Sequence, residues 1–405
     1  MKKISLPVHS VSYYLLIIFS FSLVLRLPIF LGNSTKIIWV VSSLFLSIIL
    51  VINKRLYLPR WIFYYLLLFF ILMLVSQIYW MQFDDPFTSI KITLYQTCYV
   101  LVFCVSYTLL RSLSIEEAKS FFKVFFYGAI VIFSTELYFR VAHPELILPL
   151  KPGFLDSVDK IVDNVNFGIG LDNFYSFKFA SFMAHDSNYI GFSLIPIIII
   201  LHEVKRFLES TIFYSIVNLT LVALLFSTIS RAAMITLAFI LFFYFLRAYI
   251  NRYRWPFLII ASFVSLLALF PIVHTVLNVE DESFQTKIEI LESITKISDQ
   301  TLSVMLLGAG NVVGPYLYSY TEGGYAHLLL PIILGMIGVL GLFAYLYFWL
   351  LSLMKFRFYG VYIFLAFLML GMSLADPWEP LYIFALCVSV VINKEYISLK
   401  ANSEV

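Results

Sequence analysis

Long apolar runs separated by short polar segments dominate the pattern of hydrophobic and polar positions along this chain. Twelve runs stand out, at about 11–31, 37–52, 61–80, 90–110, 121–141, 187–204, 211–229, 232–250, 256–276, 324–353, 360–375 and 380–393. Most of them approach the ~20 residues that an α-helix needs to cross a bilayer. The pattern therefore predicts an all-α, polytopic membrane protein of about 12 transmembrane helices, forming a single integral membrane domain over residues 1–405.

The composition excludes a soluble globular protein and argues against nucleic acid as a partner. The 405 residues are 61% apolar and only 13% charged, whereas soluble domains average about 45–50% apolar and about 25% charged residues. The net charge of +3 is too small for a nucleic-acid-binding protein, and the basic residues lie in short clusters between apolar runs. Membrane lipids, and not nucleic acid, are therefore the expected partners of these charges.

The basic residues also predict the orientation of the helices. If the N-terminus is cytoplasmic, alternation of the runs places 17 of the 27 Lys and Arg residues on the cytoplasmic side, with only 6 of the 24 Asp and Glu residues. The positive-inside rule favours this orientation, which makes both termini cytoplasmic. The two longest connections, 142–186 and 277–323, then form large loops on the outer side.

Both outer loops are predicted to be folded and partly helical, because they contain too many apolar residues for disorder. The second loop also has apolar residues at helical spacing, at Phe284, Ile288, Leu291 and Ile294. We expect the two loops to cover the outer mouth of the helix bundle. The alternative for the amphipathic stretch is a helix that lies on the membrane surface without a chemical role.

Charged residues in or beside the apolar runs are the first candidates for chemistry, because a charge at membrane depth costs about 2.5–3.5 kcal/mol on insertion scales. Glu136 and Arg140 lie four residues apart near the outer end of the fifth run, so they share a helix face and can pair. Arg231 lies in a tight outer turn, where its forked guanidinium suits a lipid-linked phosphate. The structural alternative, preferred for Arg26, is an ion pair or a side chain that reaches the lipid headgroups.

Further polar candidates lie where the outer loops meet the helices. His327 opens the tenth run and can accept a proton there, although a structural histidine at a helix start is the alternative. Asp186 and Asn188, at the start of the sixth run, are interpreted first as helix-capping residues. Lys178 stands among aromatic residues and is either a phosphate contact or a surface anchor.

The sequence contains no His and Cys cluster with ligand spacing and no aspartate pair suited to a metal ion. Cys98, Cys104 and Cys387 all lie inside apolar runs and are odd in number, which favours packing residues over a disulfide. We therefore expect a mechanism that uses neither a metal nor a cofactor.

Several short segments, taken together, resemble the O-antigen polymerase and O-antigen ligase superfamily of membrane glycosyltransferases. They are Asp186-Ser187-Asn188 entering a helix, Ser230-Arg231 at a tight outer turn, Gly308-Ala309-Gly310 in the second loop, and His327 followed by Gly338. The predicted layout of twelve helices and two large outer loops is similar as well.

The segments Asp186 to Tyr189 and Glu136 to Arg140 are more similar to polymerases than to ligases. One departure concerns the loop arginines. Polymerases have been described with an arginine and a glycine at a fixed spacing in both loops, but Asp156 stands at that spacing after Arg140, and the second loop has no arginine. The roles of those loop arginines are therefore not transferred to this chain.

The resemblance implies a GT-C-like enzyme of the bacterial cytoplasmic (inner) membrane whose active site faces the periplasm. It implies an undecaprenyl-pyrophosphate-linked oligosaccharide as both donor and acceptor, with a chain-length regulator and a flippase as partner proteins. His327 is the candidate catalytic base. The other polar candidates are expected to bind pyrophosphate or substrate, namely Arg231, Arg140, Lys178, Glu136, Asp186 and Asn188.

Three other functions remain open at this point. A ligase would transfer the glycan to lipid A-core, so its loss would leave no glycan there, whereas loss of a polymerase would leave a single repeat unit. A transporter or lipid-linked oligosaccharide flippase also commonly has twelve helices, but usually shows repeat symmetry and polar sites near the midplane. A glycosyltransferase with an acid in its first outer loop fits poorly, because residues 32–36 contain no carboxylate.

Overall fold

The structure is a computed structural model, and it describes residues 10–25, 37–57, 59–80, 86–147, 180–184, 187–252, 293–309, 328–371 and 377–403. Within these ranges the chain is helical and contains no β-strand. Three helices are long and apolar enough to cross a membrane, at Ile115–Ala142, Ser187–Leu208 and Pro331–Phe356. Shorter apolar helices of 10–17 residues accompany them. The predicted all-α class is confirmed, and these helices are those of a membrane protein.

The helices of the described ranges are numbered here in chain order. They are α1 (Val11–Val24), α2 (Ile37–Ile52), α3 (Arg60–Trp80), α4 (Pro86–Ser112), α5 (Ile115–Ala142), α6 (Pro144–Ile147), α7 (Ser187–Val204), α8 (Thr211–Ser227), α9 (Arg231–Arg252), α10 (Leu302–Leu307), α11 (Leu329–Gly371) and α12 (Pro380–Ser403). Two 3₁₀ helices, Lys205–Leu208 and Ser293–Asp299, follow α7 and precede α10. Every predicted apolar run overlaps one of these helices except 256–276, which lies outside the described residues, as do parts of the runs 11–31, 324–353 and 360–375.

The helix α11 reverses its direction within its 43 residues. In a straight helix that rises about 1.5 Å per residue, Trp349 and Phe367 would be roughly 27 Å apart. Their ring centroids are 5.0 Å apart, and a methyl group added to Gly360 would lie 3.3 Å from the carbonyl oxygen of Ser352. The helix therefore folds back between these two residues, and its two arms correspond to the separate runs predicted at 324–353 and 360–375. The first arm begins at Leu329, later than the predicted start at 324.

Lysines mark one end of the bundle, which we call the lysine-rich end and define by Lys54, Lys119 and Lys205. The starts of α1 and α5 meet there, where the Ser10 backbone N–H donates to Glu117 Oε1 at 2.7 Å. The turn between α7 and α8 joins them, because Lys119 Nζ lies 2.7 Å from Glu209 Oε1. This hydrogen-bonded ammonium lowers the pKa of the Glu209 carboxyl.

Helix α7 is the central helix of the described bundle. Its run from Ile195 to Ile200 is apolar on every side, which is the pattern of a helix without a lipid-facing or water-facing stripe, and these residues are all buried. Helix α7 packs against α8, α9, α11 and α12. The start of α7 therefore lies at one end of the bundle and is surrounded there by other helices.

Part of the connection 277–323, the second predicted outer loop, packs directly on α11 through two glycines. Gly308 and Gly338 both have positive φ, at +78° and +65°, and the Ala309 N–H donates to the Gly335 carbonyl at 2.9 Å. A methyl group at Gly308 would lie 2.5 Å from the backbone of Met336, so only glycine permits this approach.

The two predicted outer loops are described only in part. Residues 293–309 of the second loop contain a 3₁₀ helix and α10, which agrees with a partly helical loop. Of the predicted amphipathic stretch, Ile294 lies in that 3₁₀ helix, whereas Phe284, Ile288 and Leu291 lie outside the described residues. The first loop is described at 142–147, which includes α6, and at 180–184.

Candidate functional site

A buried ion pair lies near the C-terminal end of α5. Arg140 Nε is 3.5 Å from Glu136 Oε1, and each side chain is about 1% exposed. The Arg140 guanidinium also donates from Nη2 to Ser227 Oγ, at 3.3 Å, at the end of α8. The predicted pairing is confirmed, and the alternative that Arg140 reaches the lipid headgroups is excluded by its burial. A buried carboxylate beside the guanidinium offsets part of the large cost of removing both charges from water.

The chain reverses sharply between α8 and α9, directly after Ser227. Ile229 adopts the left-handed conformation, with φ at +53°, which is unfavourable for a β-branched residue. Side-chain hydrogen bonds hold the turn on both sides, because the Thr228 hydroxyl donates to the Leu225 carbonyl at 2.7 Å and Ser230 Oγ accepts from the Ala233 N–H at 3.3 Å. The predicted tight turn at Ser230-Arg231 is therefore present.

Arg231 is the first residue of α9, and its side chain is exposed. The exposure agrees with a side chain that remains accessible to a ligand. Because Arg231 follows Ser230 directly, it lies on the same turn whose other end carries Ser227, the hydrogen-bond partner of Arg140.

The start of α7 packs on this turn. Ser187 Oγ donates to the Thr228 carbonyl at 2.6 Å. Gly191, one turn further along, leaves room for the neighbouring helix, since a methyl group there would lie 2.9 Å from the Ala233 Cβ. The absence of a side chain at Gly191 thus allows α7 and α9 to approach closely.

Asn188 is the second residue of α7 and is half-buried. It lies inside the first turn of the helix, so it does not occupy the N-cap position that its sequence context favoured. Asp186 precedes the helix and lies outside the described residues.

These contacts and the sequence position of Arg231, three residues after Thr228, define what we call the polar cluster: Glu136, Arg140, Ser187, Ser227, Thr228 and Arg231. Two guanidinium groups and one carboxylate give it a net positive charge. The N-terminal ends of α7 and α9 also point into this region, and their helix dipoles favour anions. Chemically, the polar cluster is suited to bind a phosphate or a diphosphate.

The structure therefore brings Glu136 and Arg140 together with the turn of Arg231 and the start of the helix that carries Asn188. His327, Lys178 and Asp186 lie outside the described residues, so their predicted roles remain predictions.

Sequence reasoning missed two fully buried polar residues, Gln96 in α4 and Glu379 directly before α12. Glu379 was missed because it lies between Trp378 and Pro380, and a segment rich in proline is typical of an exposed loop. The sequence did contain a signal for Glu379. A carboxylate between two closely spaced apolar runs is costly near the membrane, so it usually has a partner or a function.

Cys98, Cys104 and Cys387 are buried free thiols, and Cys98 and Cys387 pack in the apolar core. Within the described ranges no group of three His, Cys, Asp or Glu side chains is arranged to hold a metal ion. In comparisons with protein-family models, curated proteins and solved structures, no match to this chain was found.

Proposed function

We propose that this protein is a surface-polysaccharide polymerase of the O-antigen polymerase type. It joins undecaprenyl-pyrophosphate-linked repeat units at the periplasmic face of the bacterial inner membrane, without a metal or a cofactor. The observation that carries the proposal is the polar cluster, in which buried Arg140 and exposed Arg231 belong to adjoining helix ends. A diphosphate on a lipid carrier is the anionic group that such a site at the end of a membrane bundle can recognise.

The proposed topology has twelve membrane spans and places the lysine-rich end in the cytoplasm. The contacts between helices support it. At the lysine-rich end, α1 and α5 begin together, and at the other end α5 and α8 finish together where α7 begins. Helices α5, α7 and α8 therefore alternate in direction, which supports the proposal that the polar cluster lies on the outer side under the positive-inside rule.

In the proposed reaction, a hydroxyl oxygen of the acceptor sugar forms a bond to the anomeric carbon of the donor. The bond from that carbon to the pyrophosphate oxygen breaks, and the lipid-linked pyrophosphate leaves with the electron pair. Arg231 and Arg140, with Lys178 as a third cation, stabilise the charge that develops on the leaving group.

The proton of the acceptor hydroxyl passes to His327, the proposed general base, which contributes a factor of about 10²–10⁴ in rate. Glu136 keeps Arg140 in place within the helix face, while Asp186 and Asn188 bind polar groups of the substrate near the start of α7. The two lipid tails occupy grooves between helices.

The test is reconstitution of the purified full chain in vesicles with lipid-linked repeat units extracted from a strain that lacks this gene. A ladder of products that differ by one repeat unit is the expected result. Transfer to added lipid A-core without a ladder would show a ligase instead. Movement of the lipid-linked oligosaccharide across the vesicle membrane, with no new glycosidic bond, would show a carrier.

A further inference from the structure

The side-chain amide of Gln96, on α4, is buried without a hydrogen-bond partner among the described residues. Gln96 has 0% exposure, and neither its Oε1 nor its Nε2 has a hydrogen-bond partner among the described residues. Buried side-chain amides in folded proteins are nearly always hydrogen-bonded, since the lost interaction with water is costly. An unpaired amide at this depth points to a group that is bound when the protein works.

A group of aromatic rings begins one helical turn after Gln96, at Tyr99. Gln96 and Tyr99 are three residues apart, so they share a face of α4. The Tyr99 ring meets the Trp378 ring edge to face, with centroids 5.4 Å apart. The Tyr345 ring of α11 also meets the Trp378 ring edge to face, with centroids 5.6 Å apart, and its hydroxyl donates to the Pro377 carbonyl at 2.8 Å.

The direction of the helices places Gln96 toward the same end of the bundle as Trp378. Helices α4 and α12 run parallel, because Tyr99 contacts Trp378 and, further along both helices, the Cys387 thiol donates to the Phe103 carbonyl at 3.6 Å. Gln96 precedes Tyr99 by about one helical turn. It therefore lies at or beyond the level of Trp378, away from the lysine-rich end.

Glu379 links this region to the polar cluster. Its side chain is fully buried, and it lies three residues before Tyr382, whose hydroxyl donates to the Phe192 carbonyl of α7 at 3.1 Å. Glu379 thus directly precedes the first turn of α12, which packs against the beginning of α7 through Tyr382. The opposite contacts of that part of α7, at Ser187 and Gly191, are with the turn that leads to Arg231.

The two regions are therefore separated by the first turns of one helix. Packed helix axes are about 8–10 Å apart, which is a distance that a short saccharide can bridge. With about 3.6 residues per turn, Asn188 lies on the face of α7 between the Ser187 side and the Phe192 side. It is thus the residue of α7 placed between the two regions.

We propose that Gln96, Tyr99, Trp378 and Glu379 form a saccharide subsite beside the diphosphate site. This inference rests on the proposed function. The amide can both donate to and accept from sugar hydroxyls, the carboxylate accepts from them, and the aromatic rings pack against the apolar faces of a sugar ring. A phosphate is a poor occupant, because none of the four side chains is a cation and Glu379 would repel it.

The decisive variant is Gln96→Leu, because a structural amide and a ligand-binding amide predict opposite results. Removal of an unpaired buried amide in favour of an apolar side chain is neutral or stabilising for the free protein. If the amide binds sugar, the variant keeps or raises its melting temperature while its KM for extracted lipid-linked repeat units rises by about 10-fold or more. Glu379→Gln is expected to raise KM in the same direction.

Ser106→Ala is the matched control. Ser106 is also a buried residue of α4 whose hydroxyl has no partner among the described residues, but it lies further toward the lysine-rich end. Its removal should leave KM unchanged. Binding of undecaprenyl pyrophosphate without any sugar should be equal in the wild type and in Gln96→Leu, because that probe does not reach the proposed subsite.

A Gln96→Leu protein with wild-type KM overturns the subsite, and so does one whose melting temperature and activity fall together. Loss of binding of the sugar-free undecaprenyl pyrophosphate in this variant would also contradict it, since the residue would then act on the diphosphate. These outcomes leave the proposed function intact. If the wild-type protein produces no ladder of products, the proposed function is wrong. The assignment of a saccharide to the subsite is then wrong as well.

Discussion

At the scale of single residues, the buried pair of Glu136 and Arg140 carries the largest electrostatic cost in the polar cluster. Both side chains are almost completely withdrawn from solvent, so each depends on the other for compensation. Exposed pairs of the same kind, such as Lys119 and Glu116, are screened by water and contribute little. The two pairs provide a direct comparison within one helix.

The first prediction concerns Glu136→Gln, which leaves the Arg140 charge buried without its carboxylate. Removal of one partner of a buried pair typically destabilises a protein by about 3–5 kcal/mol. We expect a clear drop in the melting temperature of the purified protein, measured in detergent, together with loss of product. Glu116→Gln, the exposed control, should change the free energy of unfolding by less than about 1 kcal/mol. Equal effects of the two substitutions would show that the buried pair has no special role.

The second prediction concerns Arg231→Lys. Because Arg231 is exposed at the start of α9, its replacement should leave the melting temperature unchanged. A point charge cannot reproduce the two parallel hydrogen bonds of a guanidinium to phosphate, so polymer formation should fall by about 10-fold or more. Arg55→Lys, at an exposed position of the lysine-rich end, should retain full activity. Full activity of Arg231→Lys would argue against a phosphate contact.

At the scale of helices and loops, sequence periodicity located the elements but not their junctions. The apolar runs predicted the helices because each run must satisfy its backbone hydrogen bonds internally within a membrane. The reversal inside α11 was expected as a gap between two runs, since Lys355 and Arg357 interrupt them. The positive φ of Gly338 was not predictable, because it depends on the approach of Gly308 from a distant loop.

The same limit applies to the candidate site. The pairing of Glu136 with Arg140 followed from a spacing of four residues on one helix. The contact of Arg140 with Ser227 joins residues 87 positions apart, and no local pattern encodes it. Gln96 was missed because a single amide within a long apolar run is not unusual in a sequence. Only the structure shows that this amide is buried without a hydrogen-bond partner in the described part of the chain.

The third prediction tests the glycine contact between residues 302–309 and α11. Gly308→Ala places a methyl group against the Met336 backbone at a positive φ, so residues 302–309 should detach from α11. We expect faster proteolysis in this segment and weaker polymer formation, while the rest of the bundle stays folded. Ser303→Ala, a change at an exposed position of α10, should show wild-type proteolysis. Normal protection of the Gly308→Ala loop would mean that the backbone contact is dispensable.

At the scale of the whole molecule, the two ends of the bundle differ in their chemistry. The lysine-rich end has exposed ion pairs at the turns between helices, whereas the other end buries Glu136, Arg140 and Glu379. Exposed cations suit contact with the headgroups of an anionic inner leaflet. Buried charges are costly, and in membrane proteins they usually mark a functional site. This difference therefore supports a functional site at one end of the bundle, the end that contains the polar cluster.

The fourth prediction assigns these ends to the two sides of the membrane. Cysteines introduced at exposed Arg55 and at exposed Ala142 should label differently with a membrane-impermeant maleimide, because they lie at opposite ends of the bundle. The three native cysteines are buried, so the background should be low. In cells with a permeabilised outer membrane, Ala142→Cys should react at once, and Arg55→Cys only after lysis. The reverse pattern would place the polar cluster on the cytoplasmic side. It would exclude the proposed function, because the proposed reaction takes place at the periplasmic face.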